Sequence, residues 1–285
     1  MINLSVVIPV YNDPIGLKKV LKSLIVQDYP KNKYEIIVAD NGSTDKTLKV
    51  AKAYADKYPE LVKYVLEKSI QSSYAARNMG IDVAKGSILA FTDADCIPGK
   101  NWLNIGYLKI KNSKASMVAG KIEFTYKDST PNIWEYYDSA GKLKQRSYVE
   151  NAGFGATANL FVKKVMFNKY GSFIPEVQSG GDYEFGRRIT QAGETLIYDG
   201  DALIYHPART TFKDKLKKSK RIANGQKILE QMNLLEHGKR TWKQLIPTIQ
   251  YSLLHNYRLN FRRKLLLVVI TNFFRYFNYF HRLIF

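Results

Sequence analysis

The stretch "ILAFTDADC", Ile88 to Cys96, runs apolar residues up to Phe91 and then sets Asp93 and Asp95 one residue apart. An apolar run of this length bounded by polar residues reads as a buried strand. Where the chain turns at the end of that strand, both acids can approach one point. Carboxylates gathered beside an apolar strand, with no Lys or Arg next to them, are costly unless a cation joins them. Hard oxygen ligands of this kind suit Mg2+ or Mn2+, commonly shared with a phosphate-bearing substrate. The plainer alternative is that Asp93 and Asp95 cap the following turn and helix. The spacing by itself leaves both readings open.

Upstream, strand and helix signals alternate. "LSVVIPV" (Leu4 to Val10) is a β-branched run, and Asp13 with Pro14 supplies a cap and a first-turn proline for a helix through about Gln27. "YEIIVAD" (Tyr34 to Asp40) is a second strand followed by a helical "KTLKVAKAYADKY". "VKYVLE" is a third, and Ser72 to Lys85 is a helix closed by Gly86. Four such units predict an α/β fold with a doubly wound, mostly parallel sheet that binds ligands at the carboxyl ends of its strands. Asp40, Asp93 and Asp95 all fall at such ends. Further on, "MVAGKIEFTY" and the run after "GFGATA" are expected strands, and a helix starts near Asp182 and stops at Gly193. From Thr211 the chain reads as wholly helical: Lys213 to Leu235, Trp242 to about His255, and Phe261 to the end.

The charge is lopsided. The chain carries +19, and the 80 positions from His206 hold 17 Lys and Arg against 3 acids, so +14 lies there. Such a tail points to an anionic partner, phospholipid or nucleic acid, or to a solvated basic face. The single cysteine, Cys96, excludes an intrachain disulfide and fits a reducing compartment. The strand signal begins too early for a signal peptide, so a cytoplasmic location is expected. No run reaches the ~18–20 apolar residues a spanning helix needs. "LLLVVITNFF" (Leu265 to Phe274), framed by Arg262, Arg263, Lys264 and Arg275, is long enough only to lie on a bilayer.

"SVVIPVYN", "IIVADNGSTDKT", "AARNMGIDVAKGSILAFTDADC" and "SGGDYEFGRR" occur in the order and at roughly the spacing of the family 2 glycosyltransferases, enzymes of the GT-A fold, and the resemblance covers residues 4 to about 206. It implies that Pro9, Tyr11 and Asn12 line the nucleotide pocket, that Asp40 accepts from the imide N–H of uracil, and that Arg77 and Asn78 lie near the same nucleotide. Asp93 and Asp95, with Ala94 between them, resemble the DxD pair: Asp93 by the ribose, Asp95 on a divalent metal, Mn2+ or Mg2+. Asp182 matches the general base that would deprotonate the acceptor hydroxyl with inversion at the sugar. Gly181 stands where the family usually has Glu, and Glu184 is a second carboxylate nearby. All three are candidates for contact with substrate. His206 occupies the place of a metal or diphosphate ligand in some relatives.

The resemblance implies a catalytic domain over 1–210, with a nucleotide-sugar half to about 98 and an acceptor half after it, and a basic helical region over 211–285. The donor is expected to be a UDP-sugar and the acceptor a hydroxyl of a glycan or lipid-linked precursor. The chain lacks the Gln-x-x-Arg-Trp motif of the processive synthases, so one sugar per encounter is expected. Arg258, Arg262, Arg263, Lys264, Arg275 and Arg282 interleave with leucines and aromatics through Phe285, which fits a peripheral helix on the inner, anionic face of the cell membrane. A chain ending near Asn256 is then expected to lose vesicle binding. The competing view packs this helix on the protein itself. Competing functions are a nucleotidyltransferase, whose Gly-rich basic loop is missing after the first strand, a nucleic-acid-binding protein, which places no demand on the acids, and a catalytically silent relative kept as a scaffold.

Overall fold

The computed structural model describes residues 1–141, 143–235, 242–249 and 259–284. The chain divides into two compact units. The first comprises 1–123, 145–176 and 181–206, and the second 124–144, 177–180 and 207–285.

The first unit is built on a sheet whose strands are β1 (Leu4–Val10), β2 (Tyr34–Asp40), β3 (Val62–Leu66), β4 (Ile88–Thr92), β5 (Ile97–Pro98), β6 (Met117–Thr125), β7 (Asn159–Lys163) and β8 (Leu196–Pro207), in the order β3-β2-β1-β4-β7-β6-β8-β5. The side β3-β2-β1-β4 is parallel, with Leu4 opposite both Tyr34 and Ile88. β7 then runs antiparallel to β4 and β6 antiparallel to β7, giving a mixed sheet. Helices α1 (Pro14–Ile25), α2 (Thr47–Lys57) and α3 (Ser73–Val83) follow β1, β2 and β3, so the expected α/β alternation is present. β1 and β2 are buried along their whole length, as continuous apolar runs covered on both faces should be. Asp13 caps α1 by accepting from Gly16 N at 2.8 Å, and Pro14 fills its first turn. Ser72 caps α3 by accepting from Tyr74 N. In a 3-2-1-4 arrangement the crossovers leave β1 in opposite directions, which opens a crevice at the strand ends beside β1. Pro9 to Asn12 and Asp93 lie at those ends. After β5 come α4 (Trp102–Asn112), α6 (Gln145–Ala152), α7 (Val165–Tyr170) and α8 (Gly181–Gln191).

The second unit holds α5 (Ile133–Gly141), α9 (Phe212–Gln231) and α10 (Phe261–Ile284). Its core joins Tyr137, Leu259, Leu267, Ile270 and Phe274, with Tyr137 stacked on Phe274 at 5.6 Å. Thr211 caps α9. Asp138 is wholly buried and meets Lys215 at 2.6 Å, Arg209 at 3.2 Å and Lys218 at 3.8 Å. Burial would push its carboxyl up, but Lys218, Lys215 and Arg209 outweigh it and hold the group well below the usual range.

One expected helix is different. Trp242–Leu245 forms a single 3-10 turn, and 246–249 is irregular. Pro247 has no N–H to donate and disfavours the helical conformation of the residue before it, which ends the element there. The rest of that expected helix, Arg258, the cut near Asn256 and Phe285 lie outside the described residues. Among the described residues no helix is long and apolar enough to cross a membrane. α10 buries Leu267, Ile270 and Phe274 yet exposes Phe261, Leu265, Val269, Phe273, Phe280 and Ile284.

Candidate active site

At the end of β4 the chain turns, with Cys96 N donating to Asp93 O, and its acids collect. Asp93, Asp95, Cys96 and His206 each offer a ligand atom, and these atoms lie within 4.8 Å of one another. His206 comes from β8, with Nε2 3.9 Å from Asp95 Oδ2. The two aspartates are half-buried, while Cys96 and His206 are buried. Burial first, then Asp95 and Asp93, push the Cys96 thiol well up, so it stays a neutral S–H 3.8 Å from Asp95 Oδ1. Two carboxylates and an imidazole that reach one point fit a hard or borderline divalent cation.

Arg77, on α3 and buried, ion-pairs with Asp93 at 2.5 Å. Its Nε has no hydrogen-bond partner. Asp40, at the end of β2, accepts from Ser43 N at 2.8 Å through Oδ1, while Oδ2 is buried and unpartnered. A buried acceptor left unpaired is expensive, so a ligand N–H delivered to it would be well rewarded. Asn12, with φ 50°, ties the first loop to the second: its Oδ1 accepts from Thr44 N at 2.8 Å and its N–H donates to Ser43 Oγ. Beside it Tyr11 is 49% exposed, an aromatic face free for stacking. Pro9 is buried within β1, and Ala94 is buried beside the acids. Asn78 spends both ends of its amide on the backbone of Phe173, donating to its O at 2.8 Å and accepting from its N at 3.2 Å.

Asp182 sits in the first turn of α8, where a carboxylate is favoured by the helix dipole. Oδ1 accepts from Tyr74 Oη at 3.1 Å and from Tyr183 N at 3.0 Å, whereas Oδ2 has one long contact, Thr157 N at 3.3 Å. Burial raises its pKa, and Arg77, Tyr74 and the two backbone N–H groups offset this only in part. Glu184 is placed differently. It is buried and clamped by Arg188 through Nε at 2.6 Å and Nη2 at 2.9 Å. Gly181 packs close to the ring of Tyr74, where a Cβ would come within 2.9 Å of Cε2.

The contacts Asp93–Arg77, Arg77 over the Tyr74 ring at 5.3 Å, and Tyr74–Asp182 therefore link the acids after β4 to the acid of α8. Sequence reasoning singled out Asp93, Asp95, His206, Arg77 and Asp182 but missed Tyr74 and the place of Cys96 among the ligand atoms. Tyr74 stands three residues before Arg77, hence on the same face of α3. That spacing was the signal available.

Residues 5–171 match the pattern of glycosyl transferase family 2. Glycosyltransferase AglE of Haloferax volcanii is 39% identical over 222 residues, which are 78% of this chain and 72% of AglE. Among solved structures, the mannosyltransferase PcManGT of Pyrobaculum calidifontis, in complex with GDP-Man and Mn2+, is similar with a TM-score of 0.63 at 16% identity, over 99% of this chain and 73% of that one. TarS 1–349 of S. aureus, in complex with UDP-GlcNAc, gives 0.58 at 20% identity, over 98% and 73%. At these identities the two structures bear on the fold, which is GT-A like. With the family pattern spanning more than half of its length and a relative 39% identical across most of it, the chain is a nucleotide-sugar glycosyltransferase and belongs to glycosyl transferase family 2.

Proposed function

We propose that the protein moves a single sugar from a UDP-sugar to a hydroxyl of a glycan or lipid-linked acceptor, with inversion and with Asp182 as general base. The observation that carries this reading is the contrast between the two acids of α8. Glu184 is spent on Arg188, and Asp182 keeps one oxygen nearly unengaged with its pKa raised. A base of this kind needs a pKa lifted toward the working pH and an oxygen within reach of the acceptor hydroxyl. Oδ2 takes that proton while Oδ1 stays held by Tyr74 and Tyr183 N.

On the donor side Asp40 Oδ2 accepts from the base N–H, Tyr11 stacks on the base, and Asn12 holds the two loops together. Arg77 orients Asp93 toward the ribose. Asp95 and His206 are the residues to hold Mn2+ or Mg2+. When bound, such an ion supplies charge neutralisation for the departing diphosphate. The ligands named for PcManGT and TarS, GDP-Man with Mn2+ and UDP-GlcNAc, support a nucleotide-sugar donor with a metal. Screening UDP-GlcNAc, UDP-glucose and GDP-mannose with Mn2+ for nucleoside-diphosphate release tests the reading. A UDP-sugar should turn over fastest, and Asp182→Asn should lose about 10²–10⁴-fold. Equal turnover by Asp182→Asn would remove the base.

Membrane attachment belongs to the same reading, supported by the exposed Phe261, Leu265, Val269 and Phe273 of α10 beside Arg262, Arg263 and Lys264. Each cation near an anionic surface contributes about 1 kcal/mol. The protein should co-sediment with phosphatidylserine vesicles in low salt, and Arg262→Ser, Arg263→Ser, Lys264→Ser combined should weaken this at least tenfold. Equal sedimentation of both would leave α10 without a membrane role.

A further inference from the structure

Tyr74 is used by neither the donor nor the metal, yet it is 5% exposed, and its ring is fixed on several sides. Arg77 lies over it at 5.3 Å and Phe173 packs at 5.4 Å. Gly181 closes another side: a Cβ there would lie 2.9 Å from Tyr74 Cε2, closer than real Cβ atoms come, and 3.0 Å from Cδ2 and Cγ, tighter than most. A side chain at 181 would require the ring to shift from this place. The ring in turn carries its hydroxyl to 3.1 Å from Asp182 Oδ1. We infer that Tyr74 is the positioning residue of Asp182, seated in the space left by the missing side chain at Gly181, so that Tyr74 and Gly181 act as one device.

The inference rests on Asp182 being the base and names what holds it. With Tyr74 Oη and Tyr183 N on Oδ1, the carboxylate cannot rotate freely, and Oδ2 is the oxygen left for the acceptor. Burial, then Asp182, push the Tyr74 hydroxyl far above its ordinary range, so it keeps its proton and always donates. Among the described residues, the titratable and charged groups that act on Asp182 are Tyr74 and Arg77, both from α3. A donor hydrogen bond favours the charged carboxylate, so its loss must raise the titration midpoint.

The test is a 13C NMR titration of the full chain labelled at aspartate carboxyls, with the Asp182 signal identified by its absence in Asp182→Asn. Tyr74→Phe keeps the ring and should move the midpoint up by about one pH unit, the value of a hydrogen bond to a charged group. In turnover the acid limb of the pH–rate profile should shift the same way with KM for the donor unchanged. An unmoved midpoint overturns the inference. A second pair of variants reads the space: Gly181→Glu should lower Tm by several degrees, and adding Tyr74→Ala should recover most of it. If Gly181→Glu is tolerated with Tyr74 in place, the shared space is refuted. If Asp182→Asn keeps full turnover, the base assignment falls and takes the inference with it. If Asp182→Asn is inactive and the Tyr74→Phe midpoint stays put, only the inference falls.

Discussion

Two aspartates, the buried Asp138 in the second unit and the half-buried Asp182 in the first, meet opposite surroundings. Asp138 faces Lys215, Arg209 and Lys218 and is held well below the carboxylate range. Asp182 faces a hydroxyl and two backbone N–H groups, which together with the more distant charge of Arg77 offset its burial only in part, and its pKa is raised. The same side chain is thus a fastener in one place and, in the function proposed above, a proton acceptor in the other. What decides between them is who supplies the compensating charge. Three cations over-neutralise Asp138 and lock it in the ionised form, which makes it useless as a base. Three hydrogen bonds and the charge of Arg77 act on Asp182 without cancelling the effect of burial, which leaves its proton affinity high.

Substituting both positions with Asn should separate the two roles most clearly. Asp182→Asn is expected to abolish most turnover, as stated above, without lowering Tm. Asp138→Asn leaves three cations around a neutral amide, and breaking a buried pair from one side typically costs about 3–5 kcal/mol. Its urea midpoint should fall markedly while the correctly folded fraction still turns over donor. A Tm unchanged in Asp138→Asn would mean that water, not Asp138, neutralises those cations.

A smaller effect sharpens the contrast through pH. Asp138 has a depressed folded-state pKa, so its contribution to stability is present above the ordinary aspartate value of about 3.9 and is lost as pH falls below it. The stability gap between the native chain and Asp138→Asn should therefore close as pH drops from 5 toward 2. Asp182 has a raised pKa, and the sign reverses. Its ionisation costs stability as pH rises through the carboxylate range, so Asp182→Asn should gain on the native chain between pH 4 and 7. Parallel stability curves for the two variants would break the comparison.

Much of this was legible in the sequence because strand ends announce themselves. "IIVAD" and "ILAFTDAD" place Asp40, Asp93 and Asp95 where apolar runs stop, and the structure puts each at the end of its strand or just beyond. The α/β alternation followed from the same runs. The contacts of Tyr74 were not legible, since a tyrosine on a helix face gives no sign of the glycine it will meet more than a hundred positions away. The family resemblance pointed to Asp182 rather than Glu184, but that Arg188 occupies Glu184, both acids lying in the first turn of α8, could not be read from the sequence. Asp138 drew no notice for the same reason: its partners arrive from residues 209–218, and charge spacing along the chain does not show that they converge. Local periodicity writes elements, whereas ion pairs between distant segments depend on the packed fold.

The central claim, that the acids after β4 form a metal-dependent nucleotide-diphosphate site, is tested most directly by calorimetric titration of UDP into the protein, with and without Mn2+, for the native chain and for Asp95→Ala. The account predicts binding that needs both Mn2+ and Asp95. UDP affinity that is the same with and without Mn2+, and the same in Asp95→Ala, would contradict it and return Asp93 and Asp95 to the role of turn caps.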